Sequence, residues 1–240
     1  MKNKVFKFLL FSSLVTIISC QKEDTLTNNN PSEVNFKIKS IQEGSSTFTC
    51  SYNSEGLLAS AVLSDGSSET TTFNFVWSPT SLTIEQPIID STGQTSNVTV
   101  AFYTRNNSGY VLSDSSAGWE WIYNNSNQAT TVIESGTNFT DITWLNGNYT
   151  ATTTSGSIGS IITNYSYSSE IETRDAGGKY FPPLTGNILS MFCFPNKNLL
   201  SSKTSSNGSG EEFSYQKDSK GRIISESRSS GGNTTYTYFD

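Results

Sequence analysis

From Asn35 onward, large apolar residues alternate with hydroxyl and amide residues at period two. Phe48, Cys50 and Tyr52 are separated by Thr49 and Ser51, and Phe73, Phe75 and Trp77 by Asn74 and Val76. The device returns at Val98, Val100 and Phe102, at Trp119, Trp121 and Tyr123, and at Ile142 and Trp144. It recurs at Tyr165 and Tyr167, at Phe213 and Tyr215, and at Tyr236 and Tyr238. Neighbouring side chains of a strand point to opposite faces, so each segment sends its aromatics one way and mostly Ser, Thr or Asn the other. Such alternation predicts half-buried antiparallel strands.

Turn sequences separate these segments: Asn53-Ser54-Glu55-Gly56, Asn106-Asn107-Ser108-Gly109, Asn124-Asn125-Ser126-Asn127, Asn146-Gly147-Asn148 and Asp218-Ser219-Lys220-Gly221. Each leads into a second strand, at 57–63, 110–113, 129–134, 149–154 and 222–226. Their Gly and Asn residues supply the positive φ that tight hairpins require. The expected fold is all-β: an antiparallel meander of about a dozen strands, forming a curved sheet or an open or closed barrel. With no break in composition, residues 35–240 read as a single domain. One stretch departs from period two. In 184–194, the residues Leu184, Ile188, Leu189, Met191 and Phe192 follow helical spacing, between Pro182-Pro183 and Pro195. An aromatic sheet face needs a cover, so a short helix-like apolar plug is expected there.

The N-terminus carries an address. Lys2, Lys4 and Lys7 precede an apolar run from Phe8 to Ile18, too short for a membrane span and suited to a signal-peptide core. It ends Ile17-Ile18-Ser19-Cys20, which resembles a bacterial lipobox. Residues 1–19 therefore read as a lipoprotein signal peptide and Cys20 as the lipidated residue, the alternative being an ordinary secretory signal with an incidental cysteine. Gln21-Lys22-Glu23-Asp24 resembles the surface-export tag of Bacteroidota lipoproteins, and residues 20–34 are mostly polar, with few apolar groups to pack, and read as a flexible tether. Removing residues 1–19 takes away three lysines and no acid, which leaves 12 basic against 21 acidic residues and a net charge of −9. An acidic chain is repelled by anionic membrane surfaces, so acyl chains must do the anchoring.

Composition narrows the chemistry. The chain holds 41 Ser, 30 Thr and 22 Asn among 240 residues, and no histidine. Histidine-based nucleophile systems, imidazole shuttles and histidine metal sites are excluded. The acidic balance argues against nucleic acid as a partner. No zinc-type spacing and no cofactor motif is present. Cys50 and Cys193 are left either as a disulfide or as two buried reduced thiols. Trp119-Glu120-Trp121 could serve a glycan, but alternation sends both tryptophans into the core and Glu120 into solvent. Asp218-Ser219-Lys220-Gly221 has one acid where a calcium loop has several, and Gly177-Gly178-Lys179 lacks the rest of a phosphate loop.

The C-terminal half resembles a family of Bacteroidota lipoproteins of unknown function with a porin-like fold. The likeness runs from Ile142 to Arg228. It rests on the Trp144–Asn148 hairpin opening, the strand at 164–169, the apolar stretch leading into residues 196–202, and the segment around Phe213–Glu226. That last segment is also similar to the tyrosine-aspartate hairpin repeats of large secreted bacterial proteins. The resemblance implies an architecture and an outer-membrane location, and brings no catalytic residues. The strands are too short, and too polar at their ends, for a spanning barrel. The expected function is therefore a non-enzymatic, surface-exposed lipoprotein, anchored in the outer membrane, whose domain binds or scaffolds an extracellular glycan, protein or apolar ligand. The alternatives are an envelope carrier of a lipid or other apolar ligand in an aromatic-lined half-barrel, and a glycan-capturing accessory lipoprotein. Catalysis would require a carboxylate pair assembled by the fold. Oligomeric state is left open.

Overall fold

The structure is a computed structural model that describes residues 36–134, 138–157, 159–176 and 193–240. Seventeen strands follow in order: β1 (Phe36–Glu43), β2 (Ser46–Tyr52), β3 (Leu58–Ser64), β4 (Thr70–Trp77), β5 (Ser81–Ile89) and β6 (Thr95–Arg105). Next come β7 (Val111–Asp114), β8 (Trp119–Tyr123), β9 (Ala129–Glu134), β10 (Asn138–Leu145), β11 (Asn148–Gly156) and β12 (Gly159–Ile171). The last are β13 (Arg174–Asp175), β14 (Asn198–Ser205), β15 (Gly210–Lys217), β16 (Ile223–Arg228) and β17 (Asn233–Tyr238).

Sixteen of these form an antiparallel meander. Each strand from β1 to β12 pairs with the next, β12 pairs with β14, and the ladder continues to β17. β17 then pairs antiparallel with β1, Ile41 opposite Tyr236, which closes the barrel. The all-β meander is as expected, and its strands outnumber the dozen read from the sequence. The aromatic pairs mark mainly one strand of each hairpin. Partners such as β7 and β16 put only Val111 or Ile223 and a buried acid (Asp114, Glu226) inside, which leaves a weak apolar signal.

The barrel has two ends. At the near end β1 begins and β17 finishes. The β2–β3, β4–β5, β6–β7, β8–β9, β10–β11 and β15–β16 turns lie there, and β12 ends and β14 begins there. The remaining turns lie at the far end. The near-end turns explain the recurrent Asn-x-x-Gly sequence. Asn53 accepts the Gly56 N–H at 3.0 Å and donates its own N–H to Leu57 at 2.9 Å, while its Oδ1 accepts from Glu55 and Leu57. Gly56 takes φ +76°, a conformation costly for a residue with a Cβ. Asn106 and Asp218 build the same turn, and at Asn124 the positive φ falls on Asn127.

Just before these turns an aromatic side chain folds inward and locks onto the start of the previous strand. The phenol of Tyr52 donates to the Ile38 carbonyl at 2.6 Å, Tyr123 to Val111 at 2.7 Å, and Tyr238 to Ile223 at 2.6 Å. Trp77 and Trp144 use their indole N–H in the same way, on Leu58 and Ala129, both at 2.7 Å. Tyr167 and Tyr215 repeat it on Tyr149 and Leu200. These carbonyls satisfy the polar atoms of the buried rings, whereas the indole N–H of buried Trp121 finds no acceptor among the described residues.

Inward-facing Ile38, Ile41, Leu58, Leu82, Ile84, Tyr103, Val111, Val132, Leu199 and Ile223 are all almost fully buried. Each stabilises the barrel by about 1.5–3 kcal/mol relative to exposure. The outer face is Ser and Thr rich. Hydroxyls pair across strands at Ser51–Ser60 and Ser40–Thr237, each at 2.7 Å. Most of the expected plug, residues 184–192, lies outside the described residues. Cys193 and Phe194 at its end are irregular rather than helical.

Candidate functional site

A cavity of about 360 Å³ opens in the lumen beneath β1 and β14–β17. Its inner wall comes from the β12–β14 connection. There β13 runs parallel to the start of β1, Arg174 beside Phe36 and Asp175 beside Lys37. A Lys37–Asp175 ion pair at 2.7 Å and the Phe36 N–H on the Thr173 carbonyl hold this crossing. Alternation then turns Arg174 the other way, into the barrel. The returning chain is fixed at Gly147, whose carbonyl accepts the Lys197 N–H at 3.0 Å. Asn148 and Asn198 clasp each other with bonds of 3.0 and 2.8 Å.

Arg174 organises the inner layer. Its Nε and Nη2 donate to the two carboxylate oxygens of Glu172 at 2.8 and 2.6 Å. Nη1 donates to Glu226 Oε2 and to the Tyr236 phenol, both at 2.7 Å. The rings of Phe194, Tyr236 and Tyr215 surround the guanidinium at 4.4, 5.0 and 5.5 Å. Burial alone would lower its pKa, but Tyr236, Glu172 and Glu226 outweigh that and raise it well above the usual value. Burial pushes the Tyr236 phenol up to about 12, against the opposing pull of Arg174.

A second layer lies toward the far end, where the cavity meets solvent. Arg228 Nη1 donates to Glu43 Oε1 at 3.0 Å, and Nε reaches Glu226 Oε1 at 3.4 Å. Thr234 and Phe213 complete this mouth. Every oxygen of Glu172 and Glu226 faces a guanidinium, so this is a locked electrostatic lattice. It differs from a pair of carboxylates with one free to give and one free to accept a proton.

None of the charged residues of the site stood out in the sequence. A signal was available in the register of the β15–β16 hairpin, which the Asp218 turn sets. It places Glu226 opposite Tyr215 and Arg228 opposite Phe213. Both charges therefore occupy inward positions. The residues singled out from sequence fall elsewhere. Trp121 is buried at 2% exposure and Glu120 is exposed, as alternation requires. Asp218–Gly221 is a turn. Cys50 and Cys193 are not joined in a disulfide, which leaves the second of the two readings, reduced thiols. Cys20 and Gly177-Gly178-Lys179 lie outside the described residues.

The closed antiparallel meander has a counterpart among solved structures. A crystal structure of a porin-like protein from Bacteroides uniformis matches with a TM-score of 0.53 at 14% identity, covering 85% of this chain and 98% of that one. The fold is porin-like. No family model matches the sequence, and neither does any curated protein. In this porin-like barrel the described ends of the β12–β14 connection, Glu172 and Arg174 on one side and Cys193 to Asn196 on the other, line the cavity.

Proposed function

We propose that this chain is a surface lipoprotein of the outer membrane, lipidated on Cys20, whose barrel is a non-enzymatic binding domain for a small polyhydroxylated ligand. A mono- or disaccharide unit of an extracellular glycan fits that description. One observation carries the ligand reading: the lumen holds a cavity of about 360 Å³ rather than a filled core, and charged and aromatic groups interleave on its walls. Its size falls at the lower end of small-molecule pockets. Sugars offer hydroxyls to carboxylates and guanidinium groups and C–H faces to rings, and the wall sets Glu43 and Arg228 beside Phe213 and Tyr215. The same charges disfavour an apolar cargo, because a lipid chain would desolvate them without replacing their partners. The alternative of an apolar-ligand carrier is therefore the weaker reading.

Support for a tethered rather than spanning barrel comes from the outer face. Exposed Lys39, Thr49, Ser51, Glu120, Asp141 and Glu212 lie on the strands, where a membrane barrel carries an apolar band. The lipobox and the polar segment that follows it support the anchor. The test is ligand-observed NMR against a panel of mono- and disaccharides, on the mature chain with Cys20→Ser. Contact signals that vanish in Phe213→Ala while its melting curve is retained are expected. No contact with any saccharide would defeat the ligand reading. Protease shaving of whole cells tests display separately, and protection of the barrel in intact cells would defeat it.

A further inference from the structure

The β5–β6 hairpin outgrows the barrel at the far end. β7 and β8 are short, and β7 pairs with β6 only at Tyr103, Thr104 and Arg105. Phe102 is then capped by the next turn: its carbonyl accepts the Ser115 N–H at 3.0 Å, and its N–H donates to Ser116 Oγ at 3.4 Å. The same serine cap closes β12 at Ile162 and β15 at Glu212. In β6 the strand runs on beyond its cap, and among the described residues no strand pairs with 95–101 on that side. Residues 95–100 are all exposed.

The two edges of this ribbon differ. On the β5 side the ladder with β4 stops at Glu85, and Pro87 follows, which cannot donate to an added strand. The β6 side reads Thr-Ser-Asn-Val-Thr-Val-Ala, β-prone and with neither Pro nor charge to blunt it. Val98, Val100 and Phe102 stand 40–42% exposed along it, and Ile88 and Ile89 are exposed at the tip. Free backbone donors and acceptors in an extended strand call for another extended backbone as partner.

We propose that the free β6 edge is the pairing surface for a second copy of this chain, joined antiparallel across a two-fold axis. An antiparallel edge is self-complementary under such an axis, so one patch serves both copies. Charge favours the copy as occupant. The chain is acidic overall, yet Asp90 is the only charged residue between Gln86 and Thr104, so two copies can meet here without like-charge repulsion. The arrangement joins far end to far end and leaves the two near ends, where Phe36 enters β1, pointing apart. With Cys20 as anchor (the part that rests on the proposed function), such a pair links two separate membranes rather than two neighbours in one.

Sedimentation equilibrium of the mature chain with Cys20→Ser tests the pairing. The expected result is a dimer that Val98→Lys and Thr99→Pro each weaken by on the order of tenfold or more. Gln86→Lys, on the blocked edge, should leave it unchanged, with the melting curves of all three variants retained. A monomer at the highest soluble concentration, or a dimer indifferent to both β6 substitutions, overturns the proposal. So does a monomer that binds a peptide copying residues 95–102, which would assign the edge to a foreign strand. Lipidated protein on vesicles then tests the bridge. Clustering that Val98→Lys abolishes supports it, and a dimer in solution without clustering overturns the bridging arrangement alone.

Discussion

Tyr236 and the two thiols show how far burial alone can move a titration in this barrel. Burial is the leading cause at Cys50, pushed up to about 11, at Cys193, pushed up to about 12, and at Tyr236. In each case the neutral form is the one the fold holds. An unfolded thiol releases its proton near pH 9, the ordinary value for the group. Between there and the raised values the folded chain binds more protons than the unfolded one, so stability falls as pH rises. The contribution is complete below about pH 9 and is lost through the window up to about 11 or 12, at about 1.4 kcal/mol per pH unit for each thiol. Urea unfolding followed from about pH 8 to about pH 11 should show a flat stability and then a decline. The double variant Cys50→Ala, Cys193→Ala should decline less steeply, and an equal slope would show that the thiols are not responsible. At this scale the sequence was partly legible. Alternation placed Cys50, Trp121 and Tyr236 inside from their neighbours alone. Arg174 was not legible, because its inward position follows from the parallel pairing of β13 with β1, a contact between residues 138 apart in the chain.

The hairpins that turn at Asn53, Asn106, Asn124 and Asp218 are units whose parts agree: an inward aromatic, an Asx turn with one positive φ, and a largely polar outer face. This consistency made the turns and their following strands readable, since local chemistry fixes both. The aromatic lock was not readable, because the carbonyl it reaches lies one strand back and becomes a neighbour only once the register is set. The lock has a testable weight. In Tyr123→Phe the ring remains and the bond to the Val111 carbonyl is lost, so about 1 kcal/mol should disappear. Tyr123→Ala also removes the ring that packs at 5.6 Å from Tyr110, and should cost about 3–5 kcal/mol. Denaturant midpoints separate the two. Equal losses would mean the hydrogen bond, not the packing, holds the near end. The hairpins also differ in a way their sequences state openly. Seven residues more in β6 than in β7 create the overhang, and serine caps at Phe102, Ile162 and Glu212 mark where a long strand outlasts a short neighbour.

Closure belongs to the whole molecule and has no local sign. Nothing in the text of β1 or β17 says that they meet, and both a curved sheet and a closed barrel satisfied the alternation. The structure resolves this by pairing Ile41 with Tyr236 and Gln42 with Thr235, which removes the two edges an open sheet would expose. The charged cavity depends on the same seam. β1 supplies Glu43, β17 supplies Tyr236 and Thr234, and β16 next to it supplies Glu226 and Arg228. A closed meander has no privileged first strand, and Phe36 and Tyr238 lie close enough for ring contact at 6.1 Å. A chain that joins Asp240 to Phe36 by a short linker and opens at Asn207-Gly208, in the β14–β15 turn, keeps every ladder. Its near-native melting temperature and unchanged secondary structure by circular dichroism are the expected outcome. Removing residues 233–240 instead breaks two ladders at once, strips the wall of the cavity, and exposes β1 and β16 as free edges. That chain should aggregate or lose its cooperative transition. If the truncated chain melts cooperatively while the permuted one does not, the seam is an accessory of the fold, and the cavity would have to be held together by the β12–β14 connection alone.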